Sequence, residues 1–243
     1  MMNIVIPMAG KSSSFSDEGI ETPKPYIDIK GKPMVQHAYE SLDLDHVAKN
    51  VYFIALEEHK EKYNVEKVIK SFCDKAKVIY LPFVTSGPAE TLYKLKGIIP
   101  DDEPMLQTNV DQVLEWDSKR FVKFIEDEKD IDGILVTINV VDPHYSFARY
   151  DQERIALDVT EKTIISNEGL IGTHYWKKAG DYFRSFEKAK DQGLTYNDEI
   201  YVSLTFNPLI QEGKIFKDFK LKQSEKQNVV GDVPSLSQYE NKL

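Results

Sequence analysis

Met8-Ala9-Gly10-Lys11-Ser12-Ser13-Ser14, followed by Lys24 between Pro23 and Pro25, is the stretch of this chain best suited to holding phosphates. The apolar residues 2–7 open directly into it. A strand that ends in small residues leaves backbone N–H groups uncovered at the carboxyl edge of a sheet, where open α/β folds bind phosphate. Lys24 then adds a point charge on a stiff support, because each proline fixes its own φ. An ordinary polar turn is the plain alternative. The run is not a Walker A loop, which requires a further glycine upstream, nor the three-glycine dinucleotide fingerprint.

Asp111 is the second group of interest, in Leu106-Gln107-Thr108-Asn109-Val110-Asp111-Gln112. At the end of a strand its carboxylate projects into the crevice beside the loop. There it suits Mg²⁺, which takes hard oxygen ligands and bridges nucleotide phosphates. Capping of the next turn is the competing use, but Asp117 is better placed for that, directly ahead of the helical pattern at 118–128. Gly87-Pro88-Ala89 opens another helix, with proline near its first position. Gly87 would let the backbone approach the edge of a flat base. Glu161 beside Lys162 could serve a hydroxylated anion, glutamate for hydroxyls and lysine for a phosphate, although such pairs also occur on solvated strand edges. Gly169 and Gly172 would let backbone pass close to the same ligand.

Other candidates are weaker. The five histidines, at 37, 46, 59, 144 and 174, form no pair at helical spacing, which argues against zinc. Tyr145, Phe147 and Tyr150 alternate as one packed face of a strand does. Asp198-Glu199 could act near the second substrate, but the acidic start of a helix is a sufficient reading.

Positioning these groups requires strands that deliver loops to a common edge. Short, nearly uniformly apolar runs at 3–7, 51–56, 78–81, 105–109 and 133–139 read as strands buried on both faces. Amphipathic stretches at 33–42, 59–72, 88–98 and 118–128 read as the helices between them. Alternation at this spacing means a doubly wound α/β fold, with ligands at the strand carboxyl ends. Beyond residue 140 the pattern changes. Residues 145–150 and 155–159 suggest paired strands, 161–175 an irregular extended stretch, and 178–190 and 198–211 helices. A strand near 214–221 and a short helix after Pro234 close the chain. The reading is one α/β domain over 1–243 with a mixed, mainly parallel sheet flanked by helices: a nucleotide-binding half at 1–140 and an acceptor-binding half at 141–243.

Composition narrows the class. The 243 residues are 41% hydrophobic and 29% charged, as in globular domains. A net charge of −9 argues against a nucleic-acid surface, which needs clustered Lys and Arg. Apolar runs fall short of the roughly 20 residues that span a bilayer. The opening apolar stretch is short for a signal peptide and lacks a preceding basic residue. The single Cys73 excludes an internal disulfide. A cytoplasmic protein is expected.

Taken in order, strand–Met8-Ala9-Gly10-loop, Lys24-Pro25, Gly31-Lys32-Pro33-Met34, Gly87-Pro88-Ala89, Asp111, Glu161-Lys162 and Gly169…Gly172 resemble the sugar-phosphate nucleotidyltransferases. Gly231-Asp232-Val233-Pro234-Ser235-Leu236 extends the resemblance to that family's closing segment. Asn109-Val110-Asp111-Gln112 looks most like members from surface-polysaccharide loci, some of which are cytidylyltransferases.

The resemblance implies a Rossmann-like fold of the glycosyltransferase-A type and an in-line displacement. A phosphate oxygen of a sugar 1-phosphate or similar monoester attacks the α-phosphorus of CTP, UTP or dTTP, and pyrophosphate leaves. It assigns the nucleotide to Met8, Ala9, Gly10, Lys11, Ser12, Ser13, Lys24, Gly87, Pro88, Ala89 and Asn109, with Lys24, Lys11 and Asp111 as catalytic groups. It assigns the acceptor to Glu161, Lys162 and Gly172, and Mg²⁺ to Asp111 with Asp232 as a displaced second ligand. Two positions depart from the family: Ser14 stands where the loop arginine is usual, and Val229 where a second metal aspartate occurs. A glycosyltransferase using a nucleotide-sugar and a catalytically degenerate nucleotide-binding protein are the alternatives. No nucleic-acid or membrane partner is expected, and a homo-oligomer is one of the states the sequence allows.

Overall fold

A computed structural model describes residues 1–243. The strands are β1 (Met2–Pro7), β2 (Asp28–Ile29), β3 (Lys32–Pro33), β4 (Ala48–Leu56), β5 (Ala76–Leu81), β6 (Met105–Thr108), β7 (Gln112–Glu115), β8 (Gly133–Asn139), β9 (Ser146–Tyr150), β10 (Ala156–Thr160), β11 (Glu168–Trp176), β12 (Phe216–Lys220) and β13 (Lys226–Val229). The helices are α1 (Ser13–Ser16), α2 (Met34–Leu42), α3 (His59–Lys62), α4 (Val65–Lys70), α5 (Pro88–Tyr93), α6 (Ser118–Asp127), α7 (Ala179–Asp191), α8 (Phe206–Gln211) and α9 (Val233–Glu240).

β1 shows why the sheet is doubly wound. Ile4, Val5 and Ile6 are all fully buried. Alternate residues of a strand face opposite sides, so Val5 packs with Leu92, Tyr182 and Phe206 on one face. Ile4 and Ile6 pack with Val35, Ile69 and Phe121 on the other. Only helices on both faces can cover such a strand. β1 lies between β4 and β6, parallel to both, and β5 continues the sheet beyond β4.

β11 is the strand that joins the two halves of the chain. Along one edge it runs antiparallel to β8. Along the other it pairs Thr173–Trp176 with β6, and Gly169 and Leu170 with β9. The register shifts between Leu170 and His174, where Gly172 takes φ +72°. This bulge lies between the end of β6 and the start of β9. Beyond β8 the sheet ends in parallel β12, while β10 pairs with β9. No helix is long and apolar enough to cross a membrane.

Several expected boundaries move for identifiable reasons. The second half of the stretch 161–175 belongs to the long strand β11, which runs to Trp176 and whose Glu168, Thr173, His174 and two glycines dilute its apolar pattern. The helix at 59–72 breaks into α3 and α4 at Asn64, which is left-handed with φ 48°. The helix at 88–98 stops at Tyr93, with a left-handed turn at Gly97. Residues 198–202 are not helical, so Asp198-Glu199 does not open a helix. Left-handed Asn197 and Asp198 form a tight turn in which Glu199 bridges back to Tyr196. The regular helix there is α8. The β7–β13 ribbon has too many polar residues to read as strands, and pairing across the chain forms it.

Candidate active site

Four segments interlock beyond the carboxyl ends of β1 and β6. Met8 N–H donates to the Ile54 carbonyl, which extends the β1–β4 pairing into the loop. Ser12, with φ 57°, turns the loop, and its Oγ accepts from Lys24 N–H at 2.9 Å. Lys24 sits in a short 3₁₀ turn with Pro25 and sends Nζ to Asp111 Oδ2 at 2.9 Å. Val230 N–H donates to the Asp111 carbonyl at 2.9 Å, and the Ser14 hydroxyl donates to Gly231 O at 2.6 Å. The residue standing in the arginine position therefore fastens the loop to the segment behind Asp111.

Two cavities meet on this framework. The first, of about 360 Å³, is lined by residues 8–14, Lys24, Gly87 and Pro88. The second, of about 320 Å³, is lined by Glu161, Lys162, Gly172 and the loop at 144–146. Pro88, Gln107, Asn109, Asp111 and Val202 belong to both walls. The segment 196–203 serves both cavities as well. Gly87 packs against the Ile200 backbone, where a Cβ would lie 3.0 Å from the carbonyl oxygen. The Ser203 hydroxyl donates to Glu161 Oε2 at 2.6 Å, and the Ser146 hydroxyl donates to the same oxygen. The Lys162 ammonium lies 5.2 and 5.1 Å from the ring centres of Tyr196 and Tyr201. These are cation–π contacts, and they hold the side chain beside the cavity.

The structure brings together most of the residues picked from the sequence, with three exceptions. Ala89 lines neither cavity. It is fully buried in the core, and its N–H donates to Ile200 O because α5 begins by packing inward. Gly172 does border the second cavity, but the room left by its missing side chain is filled by Asn109: a Cβ there would overlap Asn109 Nδ2. Its close approach is to the protein's own side chain. Asp232, expected as a displaced second ligand, is engaged as a helix cap. Its carboxylate accepts from Ser235 N–H at 2.8 Å and from the Ser235 hydroxyl, forming a capping box on α9. The Ser235 bonds hold the Asp232 carboxyl below the usual carboxylate range.

No group of three His, Cys, Asp or Glu side chains converges here. The carboxylate that borders both cavities is Asp111, which is paired with Lys24. That fits an ion delivered with a nucleotide, since Mg²⁺ commonly takes one or two carboxylates plus phosphate oxygens and keeps several waters.

Sequence reasoning missed Gln107, His174, Tyr196, Tyr201 and Gln227, and it set aside Glu199, which lines the first cavity. Gln107 was the most visible of these, a long polar side chain inside an apolar strand. Burial pushes the His174 imidazole down to about 3, so it stays neutral.

No protein-family model matches the chain. The bifunctional protein GlmU of Methanocaldococcus jannaschii is 25% identical over 226 residues, 90% of this chain and 49% of that protein. The chain spans about half the length of this relative. The mannose-1-phosphate guanyltransferase of Aspergillus oryzae is 26% identical over 151 residues, 58% of this chain and 39% of that protein. Among solved structures, the nucleoside-diphosphate-sugar pyrophosphorylase of Vibrio cholerae RC9 superposes with a TM-score of 0.84 at 22% identity, covering 98% of this chain and 99% of its own. The inositol-1-phosphate CTP transferase of T. maritima gives 0.77 at 13% identity, covering 99% and 94%. The fold is the mixed, mainly parallel α/β domain of the nucleotidyltransferases. In sequence and fold the chain resembles the sugar-phosphate nucleotidyltransferase family.

Proposed function

We propose that the chain transfers a nucleoside monophosphate from a nucleoside triphosphate, CTP or UTP/dTTP, to a sugar 1-phosphate or similar phosphorylated small molecule, releasing pyrophosphate. The observation that carries this reading is the junction of two cavities at Asn109 and Asp111, one beside the phosphate loop and Lys24, the other beside Lys162. A reaction that joins two phosphates needs two anion sites meeting at one point. Residues 1–140 supply most of the first and residues 141–243 most of the second.

In the proposed reaction an acceptor phosphate oxygen forms a bond to the α-phosphorus. The bond from that phosphorus to the α–β bridging oxygen breaks, and its electron pair leaves with pyrophosphate. A phosphomonoester, with a second pKa near 6, is already mostly dianionic at about pH 7, so no general base is required. Catalysis is then positioning and charge neutralisation. Backbone N–H groups of residues 9–14 face the triphosphate, with Lys11 at the exposed rim. Lys24 turns from Asp111 to the phosphates. Lys162 holds the acceptor's phosphate in line. Bound with the nucleotide, Mg²⁺ would neutralise phosphate charge, and Asp111 is the carboxylate that would hold it. The product would be an activated precursor for surface polysaccharide, made in the cytoplasm.

The glycosyltransferase alternative needs an Asp-x-Asp-like pair at 109 and 111. Asn109 is a poor ligand, because its Oδ1 accepts from Gln107 and its Nδ2 is pressed on Gly172.

The test is pyrophosphate release with Mg²⁺, pairing CTP, UTP, dTTP, GTP and ATP with phosphorylated sugars and polyols. Release with one pair is expected. Release with none, alongside tight nucleotide binding, would overturn the reading.

Two variants probe the site in the same assay. A Cβ on Gly231 would lie 2.8 Å from Asp111 Oδ2. Gly231→Ala is therefore expected to displace the carboxylate and slow turnover about tenfold, by analogy with other misplaced site groups, at nearly unchanged melting temperature. Asp232→Ala should cost about 1 kcal/mol in urea unfolding, the usual worth of a helix N-cap. It should leave the Mg²⁺ dependence of turnover as it was.

A further inference from the structure

Lys162 is a cation held in place without a counter-ion. Its half-buried side chain borders the second cavity and makes no ion pair or hydrogen bond within the protein. What the ammonium touches is the rings of Tyr196 and Tyr201, 5.2 and 5.1 Å from their centres. The adjacent Glu161 is occupied elsewhere, its Oε2 accepting from the Ser146 and Ser203 hydroxyls. Lys24 in the first cavity is held in the other way, by Asp111 Oδ2 at 2.9 Å. The two ways differ in what they leave for a ligand. A carboxylate fixes a lysine and cancels its charge, whereas a ring face attracts the cation through its quadrupole and leaves the full positive charge.

The backbone around the ammonium is shaped to bring the two rings together. Asn197 and Asp198 both take left-handed φ, 49° and 63°, and Tyr196 and Glu199 exchange N–H···O bonds of 2.9 and 3.1 Å across them. Two consecutive left-handed residues closed in this way follow the type I′ turn, in which Asn and Asp are favoured alongside Gly. The rings of Tyr196 and Tyr201 then meet edge to face, with centres 6.1 Å apart at 81°. Tyr201 is fixed from both sides, because Ile200 O accepts from Ala89 N–H and the Ser203 hydroxyl reaches Glu161. Lys162 itself has φ 52°, just beyond the end of β10. That is a strained state for a long side chain, and such strain persists where neighbours over-determine it, commonly at ligand sites.

We infer that Tyr196 and Tyr201 are positioning residues, which hold the Lys162 ammonium with its charge uncancelled for the phosphate of the acceptor. The inference rests on the second cavity being the acceptor pocket. A lysine has a long rotatable stem, and ordering it at the moment of binding costs affinity. The two rings order it beforehand. Their faces offer no oxygen lone pairs to compete with those of a phosphate for the ammonium N–H donors. The tyrosine hydroxyls have no part in this, so ring and hydroxyl can be tested apart.

The experiment reads Lys162 directly, by NMR on the full chain. Its ε-CH₂ signal, assigned by its disappearance in Lys162→Met, is expected to be displaced upfield by the ring currents of the two tyrosines. Tyr196→Leu and Tyr201→Leu should each move it back, while Tyr196→Phe and Tyr201→Phe keep it in place. Titration with inorganic phosphate, followed at this signal, gives the affinity at Lys162 itself. That affinity should weaken about threefold in each leucine variant and about tenfold in the double leucine variant, the scale of two cation–π contacts. The phenylalanine variants should retain it. In the transferase assay the leucine variants should raise the acceptor KM and leave the nucleotide KM as it was. Both tyrosines are only half-buried, so the leucine variants are expected to fold, and each tests the inference independently. Phosphate affinity that is unchanged or higher in the leucine variants overturns the inference. So does an equal loss in the phenylalanine variants, or a wild-type Lys162 signal that does not respond to phosphate. Absence of pyrophosphate release with every nucleotide would instead sink the transferase reading and leave the Lys162 signal and its phosphate response measurable.

Discussion

Asp111→Asn is expected to lower pyrophosphate release by about 10³, the scale seen when one charge-stabilising group is removed from a phosphoryl- or acyl-transfer centre. The substitution keeps the shape of the side chain and removes its charge. Two consequences follow from one atom, because Asp111 Oδ2 lies 2.9 Å from Lys24 Nζ. The nucleotide-borne cation loses its protein carboxylate, and Lys24 loses the partner that presents it to the cavity. Lys24→Met should cause a comparable loss. The double variant should be little worse than the poorer single one, since groups that act as a unit are not additive. Stability should hardly change. The pair is partly exposed, at 19% and 29% of the two side chains, and such pairs contribute at most about 1 kcal/mol. An Asp111→Asn protein keeping a third of the wild-type rate would remove Asp111 from the mechanism.

Gly172→Ala is expected to be the most damaging single methyl added to the site. Its backbone sits at φ +72°, where L-residues are strained, and the new Cβ would overlap the Asn109 amide. Strain and overlap together should cost about 2–4 kcal/mol in urea unfolding. Turnover should fall as well, because Asn109 stands where the two cavities meet. Gly10→Ala is the informative contrast. A Cβ there meets nothing within 4 Å. The free protein should unfold as wild type does, and any loss should appear only as weaker nucleotide binding. A wild-type unfolding midpoint for Gly172→Ala would show that the bulge relaxes without cost.

The strands buried on both faces were legible because their environment is uniform: Ile4, Val5 and Ile6 cannot belong to anything but a covered sheet. That the loop after β1, Lys24 and Asp111 come together was legible because a doubly wound sheet delivers the loops after its strands to one edge. β11 was not, since its stability comes from pairing on both edges and its sequence carries the polar residues of a cavity wall. The same cause hid His174 and Gln227. A polar residue that faces a pocket resembles one that faces solvent until the topology is known. Asp232 shows a second use that was also present in the sequence: considered as a displaced second metal aspartate because Val229 stands at the family position, it has Ser235 at the spacing of a capping box.

The place of β11 also governs the order in which the protein can be made. Its sheet neighbours β6, β8 and β9 all leave the ribosome before it does, and β8 has no partner until residues 168–176 emerge. A nascent chain of the first 140 residues therefore carries at least three unmatched strand edges, one on β6 and both on β8, the kind of surface on which growing chains misassemble. The wall that bears Gly172 and His174 is missing from every such fragment. The two cavities come into contact late in synthesis, so an interrupted translation product holds the phosphate loop with no second pocket beside it.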